Sequence, residues 1–172
     1  MPDLVRDLIR NVPDFPKPGI LFRDLTPVLE SPRVFRETID RLVAFQQGRQ
    51  IDKIAAIEAR GFLFGAPLAY ALGVGLCLLR KPGKLPRKAA RESYALEYGS
   101  DALELHEDAL AAGERVLVVD DLLATGGTAR AAGALVQRLG GRLLGYSFVV
   151  ELDDLGGRAR LAPHAVDSLV RY

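Results

Sequence analysis

The sequence predicts an α/β fold, a mostly parallel central sheet with helices on both faces. Short apolar runs alternate with helix-like segments along the 172 residues, the pattern of strands joined by crossover helices. The runs 53–57 and 116–119 are apolar with little alternation, as strands covered on both faces are. Each ends in a polar turn followed by a helix-like segment. In order, the pattern predicts a helix over 4–10, a proline-rich entry and a helix over about 32–46. Next come a strand at Ile54, a helix over about 62–72 and a strand over 74–79. Pro82, Gly83 and Pro86 break any helix in the segment that follows, and 94–98 alternates like a strand. Further strands are expected near Ala95 and Leu103, then at 116–119. The helix 129–139, a strand over 143–150 and a last one near Ser168 complete the set. The helix after Arg60 carries Phe62, Leu63, Phe64, Leu68, Tyr70 and Leu72 nearly all around its axis. It is therefore expected to be buried on several sides, with a subunit interface there.

Composition bounds the function. The length fits a single domain spanning residues 1–172 with a real core. About half the residues (49 %) are apolar, yet no run approaches the ~18 residues of a membrane span. The start, Met1-Pro2-Asp3, lacks a signal-peptide pattern. The single cysteine, Cys77, sits in an apolar run and reads as a buried core thiol, so a cytoplasmic location is expected. A net charge of +1 argues against a nucleic-acid binder. Neither His106 nor His164 has a partner at metal-ligand spacing, and no Walker-type lysine follows the Gly-Gly turn.

The most informative stretch is Val116-Leu117-Val118-Val119-Asp120-Asp121-Leu122-Leu123-Ala124-Thr125-Gly126-Gly127-Thr128. In open α/β sheets, ligands bind beyond the carboxyl ends of the strands. The turn Ala124-Thr125-Gly126-Gly127-Thr128 offers backbone N–H groups, two hydroxyls and a helix N-terminus to a phosphate, and its glycines allow close approach. Asp120 and Asp121 would repel a phosphate. They suit sugar hydroxyls, or the waters of a hydrated Mg²⁺. Together the parts fit a ribose 5-phosphate. Upstream, Arg80, Lys81, Lys84, Arg87, Lys88 and Arg91 form a basic run. On its own such a run is more often a solvated face or a nucleic-acid patch. This one is broken by glycine and proline in a way that fits a mobile hood over a polyanion.

Residues 116–128 resemble the phosphoribosyl diphosphate signature of the type I phosphoribosyltransferases. Other blocks of the chain match that family in order: Pro13-Asp14-Phe15-Pro16-Lys17-Pro18-Gly19-Ile20-Leu21-Phe22-Arg23-Asp24, Glu58-Ala59-Arg60-Gly61-Phe62-Leu63-Phe64-Gly65, Arg80-Lys81-Pro82-Gly83-Lys84-Leu85-Pro86 and Tyr94-Ala95-Leu96-Glu97-Tyr98-Gly99. The resemblance covers nearly the full length, and it is closest to the members that accept adenine.

That resemblance implies a type I phosphoribosyltransferase-like fold, with a flexible hood loop over 81–99 and a base-binding segment over 1–30. It implies transfer of the 5-phosphoribosyl group from 5-phosphoribosyl 1-diphosphate to adenine, giving AMP and pyrophosphate in purine salvage. Mg²⁺ would be held mainly by substrate and water near Asp120 and Asp121, with no direct protein ligand. By the same token Asp120 and Asp121 orient the ribose, 124–128 hold the 5-phosphate, and Arg60, Arg80, Lys81 and Lys84 meet pyrophosphate. A non-proline cis peptide is implied at Ala59–Arg60. Glu97 assists proton removal from the purine. The base meets Leu21, Phe22 and Arg23: a C=O at Leu21 and an N–H at Arg23 match the N6 donor and N1 acceptor of adenine, and Phe22 stacks on the ring. A homodimer is implied, with no nucleic-acid or membrane partner. Residues 87–92 match the family least and receive no role. Two alternatives stand beside this: a sister enzyme acting on a 6-oxopurine, and a regulator that senses the sugar diphosphate without catalysis.

Overall fold

The computed structural model describes residues 3–96 and 99–172. The chain packs as two compact units divided between Arg41 and Leu42. In the first, Asp3 caps helix α1 (Leu4–Leu8) by accepting from the Val5 and Arg6 N–H groups. The helix expected to reach residue 10 stops two residues short. Ile9 is already extended, and Arg10 begins β1 (Arg10–Pro13), which pairs antiparallel with β2 (Leu21–Asp24). Strand pairing prevails there over a helix too short to sustain itself. In the connecting loop the Asp14 carboxylate accepts from the Gly19 N–H at 2.7 Å. Helix α2 (Thr26–Glu30) follows, and α3 (Pro32–Phe45) leads into the second unit.

The second unit is built on a five-stranded sheet in the order β4-β3-β7-β8-β9, with every pairing parallel. Its strands are β3 (Lys53–Ile57), β4 (Gly75–Leu79), β7 (Arg115–Leu123), β8 (Arg142–Glu151) and β9 (Ala165–Arg171). Val116, Leu117, Val118 and Val119 are all fully buried, as the unbroken apolar run requires. Helix α4 (Arg60–Leu72) packs on the face that carries Ile54 and Ala56. Helix α5 (Gly127–Arg138) packs with Ala55, Ile57, Val116 and Val118 of the other. A second antiparallel pair, β5 (Ala89–Ala95) with β6 (Ser100–His106), lies against α5.

Three expectations change. The signature strand does not end before its carboxylates. It continues to Leu123, because β8 keeps pairing alongside it through Glu151 while β3 stops pairing at Val119. Asp120 and Asp121 therefore lie within a strand that has lost one neighbour, beside an open slot. The strand expected at 94–98 instead ends at Ala95 and begins at Ala89, so residues 89–92 of the expected loop are a paired strand. Helix α4 starts at Arg60 and buries one face only: Gly61, Phe64, Gly65, Leu68 and Ala69 are covered, whereas Leu63 is exposed and Tyr70 is 89 % exposed. Among the described residues, no helix is long and apolar enough to cross a membrane.

Candidate active site

The slot beyond Val119 is a cavity of about 190 Å³ lined by Arg60, Asp120, Asp121 and residues 122–129. Strand β7 delivers the two carboxylates, and the turn after it delivers the phosphate-sized cradle. Gly126 has φ +83°, a left-handed conformation that favours glycine. It precedes α5 with no side-chain cap. The first N–H groups of that helix have no acceptor within it, so they face the cavity end together with the positive end of the helix dipole. All of Ala124, Thr125, Gly126, Gly127 and Thr128 line this one cavity.

Asp121 is 4 % exposed and holds Arg60, whose Nε lies 2.7 Å from Asp121 Oδ2. Asp120 accepts from the Asp121 N–H at 2.9 Å. Burial, and then the adjacent Asp121 charge, push the Asp120 carboxyl well above its ordinary value. The first turn of α4 sits directly against this strand: a Cβ on Gly61 would lie 2.8 Å from Asp120 Oδ1 and 3.0 Å from Val119 O. Only glycine lets Arg60 and the carboxylate pair come this close.

The turn at the end of β3 carries a cis peptide at Glu58–Ala59, one residue before the Ala59–Arg60 bond expected. The Ala59–Arg60 bond belongs instead to the first helical turn, where the Phe62 N–H donates to Ala59 O. Glu58 accepts from the Lys81 N–H at 2.7 Å and from Arg80 Nε at 3.2 Å. Burial opposes its charge, but these donors and the charge of Lys84 outweigh it and hold the carboxyl below its ordinary value. Lys81 Nζ pairs with Asp101 and donates to the Tyr94 hydroxyl at 2.8 Å. The backbone of Arg80 bridges to Glu104 of β6. The start of the basic segment is thus anchored both to the β3 turn and to the β5–β6 ribbon. Of the residues given no role, Arg87 pairs with Asp108 and Glu92 with Arg138.

Within the first unit, Leu21, Phe22 and Arg23 all lie on β2. Phe22 meets Phe15 edge-on at 5.1 Å between ring centroids. An apolar hollow of about 270 Å³ is lined by Val12, Phe15, Phe22 and Asp24. Glu97 lies outside the described residues. Sequence reasoning missed Glu58 as the organiser of the β3 turn. It also missed Gly157, whose backbone touches the 124–128 turn: a Cβ there would lie 2.3 Å from Ala124 O. The signal was present, because Glu151 and the Gly156-Gly157 pair repeat the strand, polar turn and glycine layout a third time.

Paired carboxylates and a lysine-free, glycine-rich turn share one cavity at the carboxyl end of a parallel sheet, an arrangement suited to a transferase acting on a phosphorylated sugar. The phosphoribosyl transferase domain family matches residues 32–160. The adenine phosphoribosyltransferase of Anaeromyxobacter dehalogenans is 59 % identical over 172 residues, covering 100 % of both chains. The crystal structure of the adenine phosphoribosyltransferase from Thermoanaerobacter pseudethanolicus is 51 % identical, with a TM-score of 0.96 and 98 % of both chains covered. That from Saccharomyces cerevisiae, complexed with an imino-altritol bisphosphate and adenine, is 45 % identical with a TM-score of 0.91 and 96 % of both chains covered. The chain belongs to the phosphoribosyltransferase family, in its adenine phosphoribosyltransferase branch.

Proposed function

We propose that this transferase moves the 5-phosphoribosyl group from 5-phosphoribosyl 1-diphosphate to adenine, giving AMP and pyrophosphate in purine salvage. The observation that carries the reading is the convergence of Arg60, Asp120, Asp121 and 124–128 on one cavity. Residues 124–128 hold the 5-phosphate, so its binding energy serves to position the sugar. Asp120 and Asp121 accept from the ribose hydroxyls, and their negative field favours the cationic sugar ring that develops as purine N9 attacks the anomeric carbon. Arg60, Arg80, Lys81 and Lys84 receive the departing pyrophosphate through charge-assisted bonds. Arg60, Arg80 and Lys81 each exchange or share a carboxylate partner to do so. The segment that begins at Lys81 acts as the hood, excluding water that would hydrolyse the activated sugar.

The donor set suits Mg²⁺ held by substrate and water. Among the described residues no three His, Cys, Asp or Glu side chains are grouped to hold an ion, whereas Asp120 and Asp121 supply hard oxygens at the cavity wall. When bound, the ion would supply charge neutralisation for the diphosphate. Leu21, Phe22 and Arg23 recognise adenine beside the apolar hollow of the first unit, so that 1–30 forms the base-binding part of one phosphoribosyltransferase domain. The exposed apolar face of α4, with Leu63 and Tyr70, supports a homodimer, and a monomer at micromolar concentration in sedimentation would refute that. Burial pushes the Cys77 thiol up to about 12, which keeps it unreactive; a cytoplasmic enzyme acting on small molecules, without a nucleic-acid or membrane partner, completes the proposal.

Pyrophosphate release with Mg²⁺ and adenine, hypoxanthine, guanine, xanthine or orotate tests the reading. Release with adenine alone, with AMP formed, is expected. Release with a 6-oxopurine would refute the Leu21–Arg23 assignment, and binding of the sugar diphosphate without turnover on any base would favour a sensor. Glu97→Gln is expected to slow turnover at saturating substrates by about 10²-fold or more. An unchanged rate would remove Glu97 from proton transfer.

A further inference from the structure

We propose that Glu151 and Arg158 are positioning residues for the sugar 5-phosphate, holding Gly157 against the phosphate turn and so fixing the path of residues 124–126. The proposal rests on the reading of 124–128 as the phosphate site. Helix α6 (Gly157–Arg160) has only four residues and is entered through Gly156 at φ +67°. A single turn does not hold itself in water, so its place is set from outside.

That outside hold is a buried carboxylate. Glu151, at the end of β8, is 2 % exposed. Arg158 grips it with both arms of its fork: Nε donates to Oε1 at 2.8 Å, and a second nitrogen donates to Oε2. The third nitrogen of Arg158 donates to Val166 O at 2.7 Å, and the Ser168 hydroxyl donates to Glu151 Oε2 at 2.6 Å. Burial opposes the Glu151 charge, but Arg158, Ser168 and Arg171 outweigh it and hold the carboxyl below its ordinary value. The planar guanidinium fork fixes orientation as well as distance, which an ammonium does not.

The clamp reaches the phosphate turn by two short routes. Glu151 is the register partner of Leu123, the last residue of β7, and the Leu152 N–H donates to Leu123 O at 2.9 Å. Next to Arg158 in the chain, Gly157 meets the turn backbone to backbone. A Cβ on Gly157 would lie 2.3 Å from Ala124 O, and a Cβ on Gly126 would lie 2.9 Å from Gly157 O. Two glycines face each other because neither backbone has room to retreat. If Arg158 let go, α6 would lose its orientation and Ala124–Gly126 would lose its floor.

The test compares Arg158→Ala, Arg158→Lys and Glu151→Gln with Thr125→Ala and Thr128→Ala, in steady-state kinetics and in thermal unfolding. Arg158→Ala is expected to raise KM for 5-phosphoribosyl 1-diphosphate about tenfold. KM for adenine and kcat at saturation should stay within about threefold, and lysine should restore part of the loss. Inhibition by ribose 5-phosphate should weaken in parallel, while inhibition by pyrophosphate should not. A lowered melting temperature with both KM values unchanged would reduce the pair to a structural ion pair and overturn the proposal. Should Arg158→Ala fail to fold, Arg158→Lys and Glu151→Gln decide by the same split. If the threonine variants raise KM and the clamp variants do not, the clamp alone fails. If neither set does, the phosphate reading itself fails.

Discussion

Gly61→Ala is expected to lower kcat/KM for 5-phosphoribosyl 1-diphosphate by about two orders of magnitude in a protein that still folds. The added methyl would stand 2.8 Å from Asp120 Oδ1 and 3.2 Å from Asp120 Cα, and two of its three nearest neighbours are strand backbone that cannot swing aside. Helix α4 must therefore retreat from β7, taking Arg60 away from Asp121. Overpacking of this kind costs about 1–3 kcal/mol, which a domain with buried central strands tolerates. The geometric damage is larger, since a displacement of ~1 Å at a positioning contact can cost ~10²-fold in rate. Kinetics and thermal melts on the same preparation separate the two. Wild-type kinetics would show that the approach of α4 to the carboxylates has no functional weight.

Asp120→Asn is expected to melt above the parent protein at neutral pH and to lose about 10²-fold or more in kcat/KM. Burial and the Asp121 charge raise the Asp120 carboxyl above its unfolded value, so the fold favours the neutral over the ionised form more than the unfolded chain does. The stability from that preference is complete below the unfolded carboxyl pKa of 3.8. It is lost as pH rises through the folded value. Asparagine never ionises, so it keeps what aspartate loses. The gap in melting temperature should be small near pH 4 and should widen towards pH 8. The lost activity follows because an amide cannot carry the charge that sugar hydroxyls and a developing cation stabilise. The trade of stability for function is common at polar sites. Equal melting temperatures across that range would show that Asp120 is not destabilised by its surroundings.

Much of this was legible in the chain because it rests on local signals. The fully apolar 116–119 run, the glycines at 126 and 127, and the spacing of carboxylates to cradle mark strand, turn and helix within a dozen residues. What stayed illegible depends on pairing at a distance. Nothing within the sequence of β7 says that β3 stops pairing at Val119 while β8 continues to Glu151, so the strand runs further than its local pattern predicts. The β1–β2 hairpin hides behind three prolines, and β5 lies under a run of charges that reads as a solvated loop until β6 pairs with it. Helix α4 looks buried all round because its outer face is apolar too. Composition cannot tell a core from a surface awaiting a partner.

The pairing of Arg60 with Asp121, Arg80 with Glu58 and Lys81 with Asp101 makes the ligand-free site an ion exchanger rather than a positive trap. Of the cations proposed to meet the leaving group, Arg60, Arg80 and Lys81 each already have a counter-charge, fixed to the chain and unable to diffuse away. An arriving anion must therefore outcompete a tethered carboxylate at several places at once. A monovalent ion gains one contact and forfeits one. A diphosphate, with its charges spaced along a short chain, displaces several together and keeps the benefit of doing so. On the proposed roles of these cations, discrimination against small anions rests on the number of exchanges, before any sugar or base is recognised.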